Sequence, residues 1–565
     1  MTAYPASTVP VPDQRFPRIR GERHILAAAG SVVVALAVLL PIFAVLIVAA
    51  GSSGGEWPHL LRYVLPQSLA TTLLLLVLVA AGTSIIGAGC AWAVVAYDFP
   101  LRRFLAWALV LPLAVPPYLA AYAFGEFFHY VGPVQSGLRA MFGFTSGRDY
   151  WFPDIRSTWG AALVVTCVTF PYVYLTARVV FLMQGRNIAD VARTLGATPS
   201  RVFFRILLPV ARPAIIAGLA LVMMETLNDI GAVEYLGVRT LTLSVYSTWL
   251  NRGSLEGAAQ IAAIMLVIVF LLVTAEQWAR RKQRFHTARG TQMHARPPRT
   301  QLAPGRGILV LAALSVPILL GFGIPLYVFG QYVARRLYQF ADPQVLQAFL
   351  TSIAVASVTA VLTLVLALLL LNAIRLSRSP ATMLLVRLAS IGYALPGTIL
   401  ALGLLLSLAR IDNFVDGVAR EFAGVSTGLL LTGTAASIVI ACTIRFLALA
   451  ESAIRSGLEK LPPNLDLAAR SLGKTANQSA MQVLLPLLKP ALLTAAILVF
   501  VDTVKELSAT ILLRPFGFRT LATHVYENAS RGAVEDGAVA ALLIIATAIV
   551  PVILLSRPLM RDHNT

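Results

Sequence analysis

The chain has 565 residues, 58% of them hydrophobic and only 13% charged, with a formal net charge of +19. A mean hydropathy of +0.78 excludes a soluble globular protein of this length, whose surface needs more polar residues. The basic excess does not point to nucleic acid, and no such partner is expected, because the arginines alternate with apolar runs and form no aromatic-studded basic face.

Apolar runs of about twenty residues, the length an α-helix needs to cross a bilayer, recur along the whole chain. In order, they predict spans at 25–50, 67–93, 104–126, 158–182, 213–233 and 256–277, then at 306–332, 347–374, 381–408, 425–449, 490–511 and 535–556. The first, Ile25 to Ala50, is too long for the apolar core of a signal peptide, and no small-residue cleavage site follows it. It is therefore read as a retained span. Arg15, Arg18, Arg20 and Arg23 precede it. The stretch 278–306 carries Arg280, Arg281, Lys282, Arg284, Arg289, Arg296, Arg299 and Arg306, with no Asp or Glu. Six spans between these two basic segments put both on one side, which the positive-inside rule identifies as the cytoplasm. Arg102-Arg103 and Arg375/Arg378 fall on that same side.

An offset near 280 residues recovers self-similarity throughout. Gln67-Ser68-Leu69-Ala70-Thr71 matches Gln347-Ala348-Phe349-Leu350-Thr351, and Pro116 matches Pro396. Arg193-Thr194-Leu195-Gly196 matches Arg470-Ser471-Leu472-Gly473, Arg239-Thr240-Leu241 matches Arg519-Thr520-Leu521, and Val245-Tyr246 matches Val525-Tyr526. The expected organisation is all-α and polytopic. A cytoplasmic tail (1–24) leads to a first six-helix unit (25–277), a basic cytoplasmic linker (278–306), a second unit (307–556) and a cytoplasmic tail (557–565). An even number of spans per unit makes this a parallel repeat.

Between the fourth and fifth spans each unit carries one pattern. The first copy is Asp190-Val191-Ala192-Arg193-Thr194-Leu195-Gly196, then Ile206-Leu207-Leu208-Pro209 and Pro213. The second is Asp466-Leu467-Ala468-Ala469-Arg470-Ser471-Leu472-Gly473, then Val483-Leu484-Leu485-Pro486 and Pro490. In both, the prolines follow the glycine by thirteen and seventeen residues. The pattern predicts a short helix, a glycine turn, a second helix and a proline opening the next span. It resembles the EAA loop of bacterial ABC importer permeases of type I. In that family the loop is a coupling helix docked on an ATPase subunit. The resemblance assigns Asp190, Ala192, Gly196 and Pro209, and Asp466, Ala469, Gly473 and Pro486, to two such loops. It implies an ABC ATPase partner, in two copies, and a bacterial inner-membrane location. Asp190 replaces the family's leading Glu and Leu467 occupies that place in the second copy, so the two contacts are expected to differ. Gly473-Lys474-Thr475 looks like the end of a P-loop, but position 468, where the loop needs glycine, is Ala. ATP is thus assigned to the partner, and no bound cofactor is expected.

The fifth span of each unit carries acids. Glu225 and Asp229 are four residues apart, as are Asp502 and Glu506, so each pair is expected on one helix face. At about 1.5 Å per residue from Pro213 and Pro490 they lie about 18–24 Å into the span. A central Asp costs about 2.5–3.5 kcal/mol, so four lipid-facing acids would cost roughly 10–14 kcal/mol. They are expected to face a water-filled path or to pair with Lys505, Arg239 or Arg519. Acidic oxygens favour a hard cation. Cys90, Cys167 and Cys442 lie in apolar runs, and the seven histidines are scattered, so neither residue type suggests a resident metal.

The stretches Met224 to Tyr246 and Asp502 to Tyr526, with Leu513-Arg514-Pro515-Phe516-Gly517, are similar to the fused twelve-span ferric iron permeases. That resemblance implies ATP-driven import of Fe(III) delivered by a periplasmic binding protein. The acid–apolar–small–Ala pattern at Asp229 and Glu506 also occurs in sulfate and molybdate permeases, so these two carry a structural reading beside the functional one. Glu225 and Asp502 are the expected transient metal contacts. Thiamine, phosphonate or an oxyanion remain alternative substrates of a permease of this build.

Overall fold

A computed structural model describes residues 23–51, 55–182, 192, 194–281, 300–377, 379–462 and 464–561. The first half contains α1 (Arg23–Ala49), α2 (Trp57–Ala96), α3 (Arg102–Ala114), α4 (Pro117–Phe127), α5 (Pro133–Phe142), α6 (Thr158–Val180), α7 (Phe203–Asn228), α8 (Gly231–Tyr235), α9 (Leu241–Leu250) and α10 (Leu255–Arg281). The second contains α11 (Pro304–Arg335), α12 (Pro343–Ser377), α13 (Pro380–Ala394), α14 (Gly397–Ala423), α15 (Ala435–Leu458), α16 (Leu465–Ser471), α17 (Ala476–Leu487), α18 (Lys489–Val504), α19 (Thr510–Leu513), α20 (Leu521–Ser530) and α21 (Ala538–Arg561). Among the described residues, ten helices are long and apolar enough to cross a membrane, and twelve if each bent pair counts as one span. Extended pairing among those residues is one short parallel contact, β1 (Tyr97–Asp98) with β2 (Thr300–Gln301).

Several span boundaries differ from the sequence expectation, each for a local reason. The third span is broken: α3 and α4 meet at 96°. Val115 precedes Pro116 and takes an extended backbone (φ −102°, ψ 111°), as the clash with a following proline ring requires. Its repeat mate breaks at the same place, with Leu395 extended before Pro396 (φ −74°, ψ 125°), so 381–408 is divided between α13 and α14. Helix α14 then runs on to Ala423, where Gly424 ends it in a left-handed conformation (φ 65°). The return loop is tied down by Asp412, which accepts the backbone N–H of Thr432 at 2.7 Å, and by Asp416, which accepts that of Thr427 at 2.8 Å. The span expected at 425–449 therefore starts ten residues later, at Ala435.

The fifth spans also differ. Pro213 does not open α7 but lies inside it, and α7 ends at Asn228, not at 233. In the second half α17 and α18 meet at 73°, and Pro490 sits in the first turn of α18. That helix ends at Val504, short of the expected 511.

The two halves exchange their first helices. Helix α1 packs on α12, α13 and α14, and α11 packs on α3, α4, α6 and α21. Glycines permit both approaches. A Cβ on Gly403 of α14 would stand 2.3 Å from the Pro41 carbonyl oxygen of α1, and one on Gly321 of α11 would stand 2.1 Å from the Cys167 carbonyl oxygen of α6. Small residues at such contacts are how apolar helices pack closely without a hydrophobic driving force from water.

Candidate substrate path and coupling loops

Helices α7 and α18 aim their C-terminal ends at one cavity of about 50 Å³. Its lining contains Glu225, Asp229, Asp502, Glu506, Arg445 and Lys505, walled by Tyr118, Tyr172 and Tyr393. Glu225 and Asp502 are 277 residues apart, as are Asp229 and Glu506, so repeat-equivalent acids meet in one place.

The four acids are not alike. Asp229 has left the helix (φ −76°, ψ 118°), and its carboxylate accepts the Ala232 N–H at 2.7 Å, capping α8. Glu506 lies beyond the end of α18 and accepts four hydrogen bonds. They come from the Ala509 N–H (2.8 Å), the Thr510 N–H (3.0 Å), the Thr510 hydroxyl (2.7 Å) and the Arg445 guanidinium (2.8 Å). The expected i,i+4 helix face is therefore corrected: a helix end separates Glu225 from Asp229, and Asp502 from Glu506. The chain turns there because these carboxylates draw the following backbone N–H groups into short helices. Asp502 pairs with Lys505 at 2.8 Å. The Glu225 side chain makes no hydrogen bond or ion pair with any described residue, yet lines the same cavity. Of the other expected partners, Arg239 is exposed, and Arg519 is turned to Glu527 (3.3 Å) and Gln344 (2.7 Å).

The halves join beside this cavity. The Asn228 side-chain oxygen accepts the Gly397 N–H at 2.7 Å, and the Ser508 hydroxyl donates to the Asn228 carbonyl at 2.5 Å. A Cβ at Gly397 would approach the Ala509 nitrogen and the Ser508 Cβ at 2.9 Å, so the joint requires glycine.

Sequence reasoning missed Arg445, Asn228 and the tyrosines. Arg445 had a readable signal: it stands in the apolar run Ala441-Cys442-Thr443-Ile444-Arg445-Phe446, where an arginine demands an acidic partner. The tyrosines offered none, since buried tyrosine is common in any helix bundle.

The two loops repeat a second geometry. Gly473 is left-handed (φ 85°), and the Lys474 N–H closes onto the Ala469 carbonyl at 3.2 Å. Gly196 is left-handed (φ 82°), and the Ala197 N–H closes onto the Ala192 carbonyl at 3.0 Å. Both are glycine-terminated helix ends of one type. Ala192 and Ala469 are buried, whereas Leu195 and Leu472, just before each glycine, are 82% and 83% exposed. Pro209 and Pro486 each follow a π-helical turn, Phe203–Leu207 and Ala480–Leu484, since a proline cannot donate to the carbonyl four residues back. Asp190 lies outside the described residues. Asp466 pairs with Arg375 of α12 and accepts the Ser479 hydroxyl at 2.7 Å. Burial opposes its charge, but Ser479 and Arg375 together hold its carboxyl below the usual range. Thr475 caps α17 through a box with Gln478, so Gly473-Lys474-Thr475 is a turn and helix start.

A multi-span helical chain with a twofold-repeated polar cavity and twin surface loops is a membrane transport permease. The family of binding-protein-dependent transport system inner membrane components matches residues 84–284 and again residues 364–561, and the chain belongs to that family. Its members are transport subunits rather than enzymes, and the family implies an ABC ATPase and a periplasmic binding protein as partners. The Fe(3+)-transport system permease protein FbpB 2 of Haemophilus influenzae is 26% identical over 503 residues, covering 88% of this chain and 91% of that one. The molybdenum transport system permease protein ModB of Escherichia coli K12 is 30% identical over 208 residues, 35% of this chain and 86% of its own. The sulfate transport system permease protein CysW of the same strain is 29% identical over 272 residues, 45% of this chain and 88% of its own.

Proposed function

We propose that this permease carries Fe(III) inward across the bacterial inner membrane. A periplasmic binding protein delivers the ion, and two copies of a partner ATPase, one on each coupling loop, hydrolyse the ATP. The observation that carries this reading is Glu225: a half-buried acid lining the cavity, whose side chain has no direct partner among the described residues, beside its repeat mate Asp502. Four carboxylates against the two cations Arg445 and Lys505 leave the cavity an excess of acid. That balance suits a hard cation and opposes an oxyanion. The cavity of about 50 Å³ suits an ion better than thiamine. The relationship to an iron permease along nearly the whole chain agrees with this reading. The relationships to molybdenum and sulfate permeases each span less than half of the chain.

Asp229 and Glu506 act as caps that shape the cavity, while Glu225 and Asp502 contact the passing ion. Lys505 lowers the negative charge at Asp502, so that the ion is not trapped. The test is ⁵⁵Fe uptake in iron-starved cells with and without the gene, and with Glu225→Gln/Asp502→Asn. The double substitution keeps shape while removing charge, so uptake falls at least tenfold at equal membrane abundance. Unchanged uptake in the double variant places the cation path elsewhere. Unchanged uptake without the gene ends the ferric reading.

A further inference from the structure

Among the described residues, no three Asp, Glu, His or Cys side chains are gathered closely enough to hold a metal ion, so the four acids of the cavity do not make a cation site by themselves. The same cavity is lined by three tyrosines. Tyr118 is 3% exposed, and its hydroxyl is buried with no hydrogen-bond partner among the described residues. Tyr172 and Tyr393 are half-buried where they border the cavity, and their hydroxyls also make no hydrogen bond with any described residue. A buried hydroxyl left unpaired costs about 1–3 kcal/mol, so these oxygens are open to whatever enters the cavity.

Tyr172 and Tyr393 come from different units and from places that are not repeat mates. Tyr172 lies on α6 and Tyr393 at the end of α13. With Arg193 matched to Arg470, the mate of Tyr172 is Leu449, and with Pro116 matched to Pro396, the mate of Tyr393 is Leu113. Leucine fills both places in the other unit, so the shared fold does not require a phenol at either. Yet the two phenols come to the same charges: Glu225, Asp502 and Arg445 act on both, and Tyr172 acts on Tyr393. Tyr118 stands instead by the two capping acids, Asp229 and Glu506. A glycine brings Tyr393 in. A Cβ on Gly392 would stand 2.3 Å from the carbonyl oxygen of Ile444, the residue before Arg445, so only glycine lets this turn lie against α15.

We infer that Tyr172 and Tyr393 complete the transient cation site, adding two phenol oxygens to the carboxylates of Glu225 and Asp502, and that they select a trivalent cation over divalent ones. All four groups offer oxygen, the donor that hard cations prefer. A free phenol is neutral at physiological pH, so the empty cavity gains two donors without gaining two negative charges. A trivalent ion is a strong enough Lewis acid to bind them as phenolates. Each iron–oxygen bond formed in this way releases one phenol proton to water, and departure of the ion takes one back. Divalent ions, which do not displace those protons, meet only the two carboxylates, one of them already engaged by Lys505.

This rests on the ferric reading above, and the test separates the two. Purified permease, its ATPase and its iron-loaded binding protein are reconstituted in proteoliposomes, and ⁵⁵Fe uptake is measured for wild type, Tyr172→Phe, Tyr393→Phe and the double variant. Phenylalanine keeps the ring and removes only the oxygen. Uptake is expected to fall about threefold in each single variant and at least tenfold in the pair, while the loaded binding protein still stimulates ATP hydrolysis. In parallel, detergent-purified permease titrated with ferric citrate is expected to develop the visible charge-transfer band of iron-bound phenolate, and the double variant to lose it. Wild-type uptake in the double variant, or a band that survives in it, overturns the proposal and leaves the ferric reading standing: the hydroxyls then serve cavity water only. A wild-type protein that carries no iron overturns both. Should the double variant fail to insert, the single variants decide, and full uptake in both overturns the phenol site.

Discussion

Arg445 and Glu506 show how much a single residue can carry in this chain. The pair is 10% and 2% exposed in its side chains, at 2.8 Å, and joins α15 to the turn after α18. Taking two charges out of water is expensive, so such a pair adds little net stability, but removing one partner strands the other. Arg445→Met is expected to destabilise the protein by about 3–5 kcal/mol, read as a lowered unfolding temperature in detergent. Arg445→Met with Glu506→Gln removes both charges of the pair, so neither is stranded by loss of the other, and recovers more than half of that loss. A double variant no more stable than the single would mean that Glu506 is held by Ala509 and Thr510, with Arg445 incidental. The acids themselves were legible, because carboxylates in an apolar run stand out. Their different jobs were not, since they depend on where α7 and α18 stop. Asp229 and Glu506 end those helices by capping the next ones, and a capping acid looks the same in sequence as an acid on a helix face.

At the scale of elements, the backbone path of the two glycine–proline loops was the part best read in advance. The spacing from glycine to proline had to reproduce one backbone path twice, and the paths do close alike, Ala197 onto Ala192 and Lys474 onto Ala469. The span ends were read less well. Periodicity registers apolar length but not the Pro116 and Pro396 breaks or the Asp412 and Asp416 tethers that move α15 ten residues on. The loops carry a direct test. A Cβ at either glycine meets no atom within 4 Å, so space is free and only the left-handed backbone resists substitution. Forcing an L-residue into that region costs roughly 1–2 kcal/mol, and a β-branched one fits it worst. Gly196→Val and Gly473→Val should therefore insert normally yet lower ATPase co-purification and transport severalfold. The second loop is tied to α12 through Asp466 and Arg375, so the Gly473 variant is expected to be the milder. Full co-purification and transport in both variants would remove the coupling assignment.

At the scale of the whole molecule, the exchanged first helices tie the two halves into one body. Neither α1 nor α11 packs chiefly on the unit it begins, a feature that repeat matching cannot see because it compares sequences and not neighbours. The exchange also constrains topology. With α3 and α4 counted as one bent span, the first half crosses six times from α1 to α10, and the linker returns to the side from which α1 began. The contact of β1 with β2 holds the chain before α11 against the end of α2, on that same side. With α17 and α18 counted as one bent span, five further crossings precede α21, which brings the C-terminus back as well. By the positive-inside rule, the arginines of 278–306 are expected to put that side in the cytoplasm. Reporter fusions that glow only in the cytoplasm should therefore be active at Thr291 and after Thr565, while alkaline phosphatase fused at either place stays inactive. Phosphatase activity at Thr291 would mean an odd number of crossings in the first half and would break the parallel repeat. Activity after Thr565 alone would put the error in the second half, where the break between α17 and α18 would then be a re-entrant loop and not a bent span.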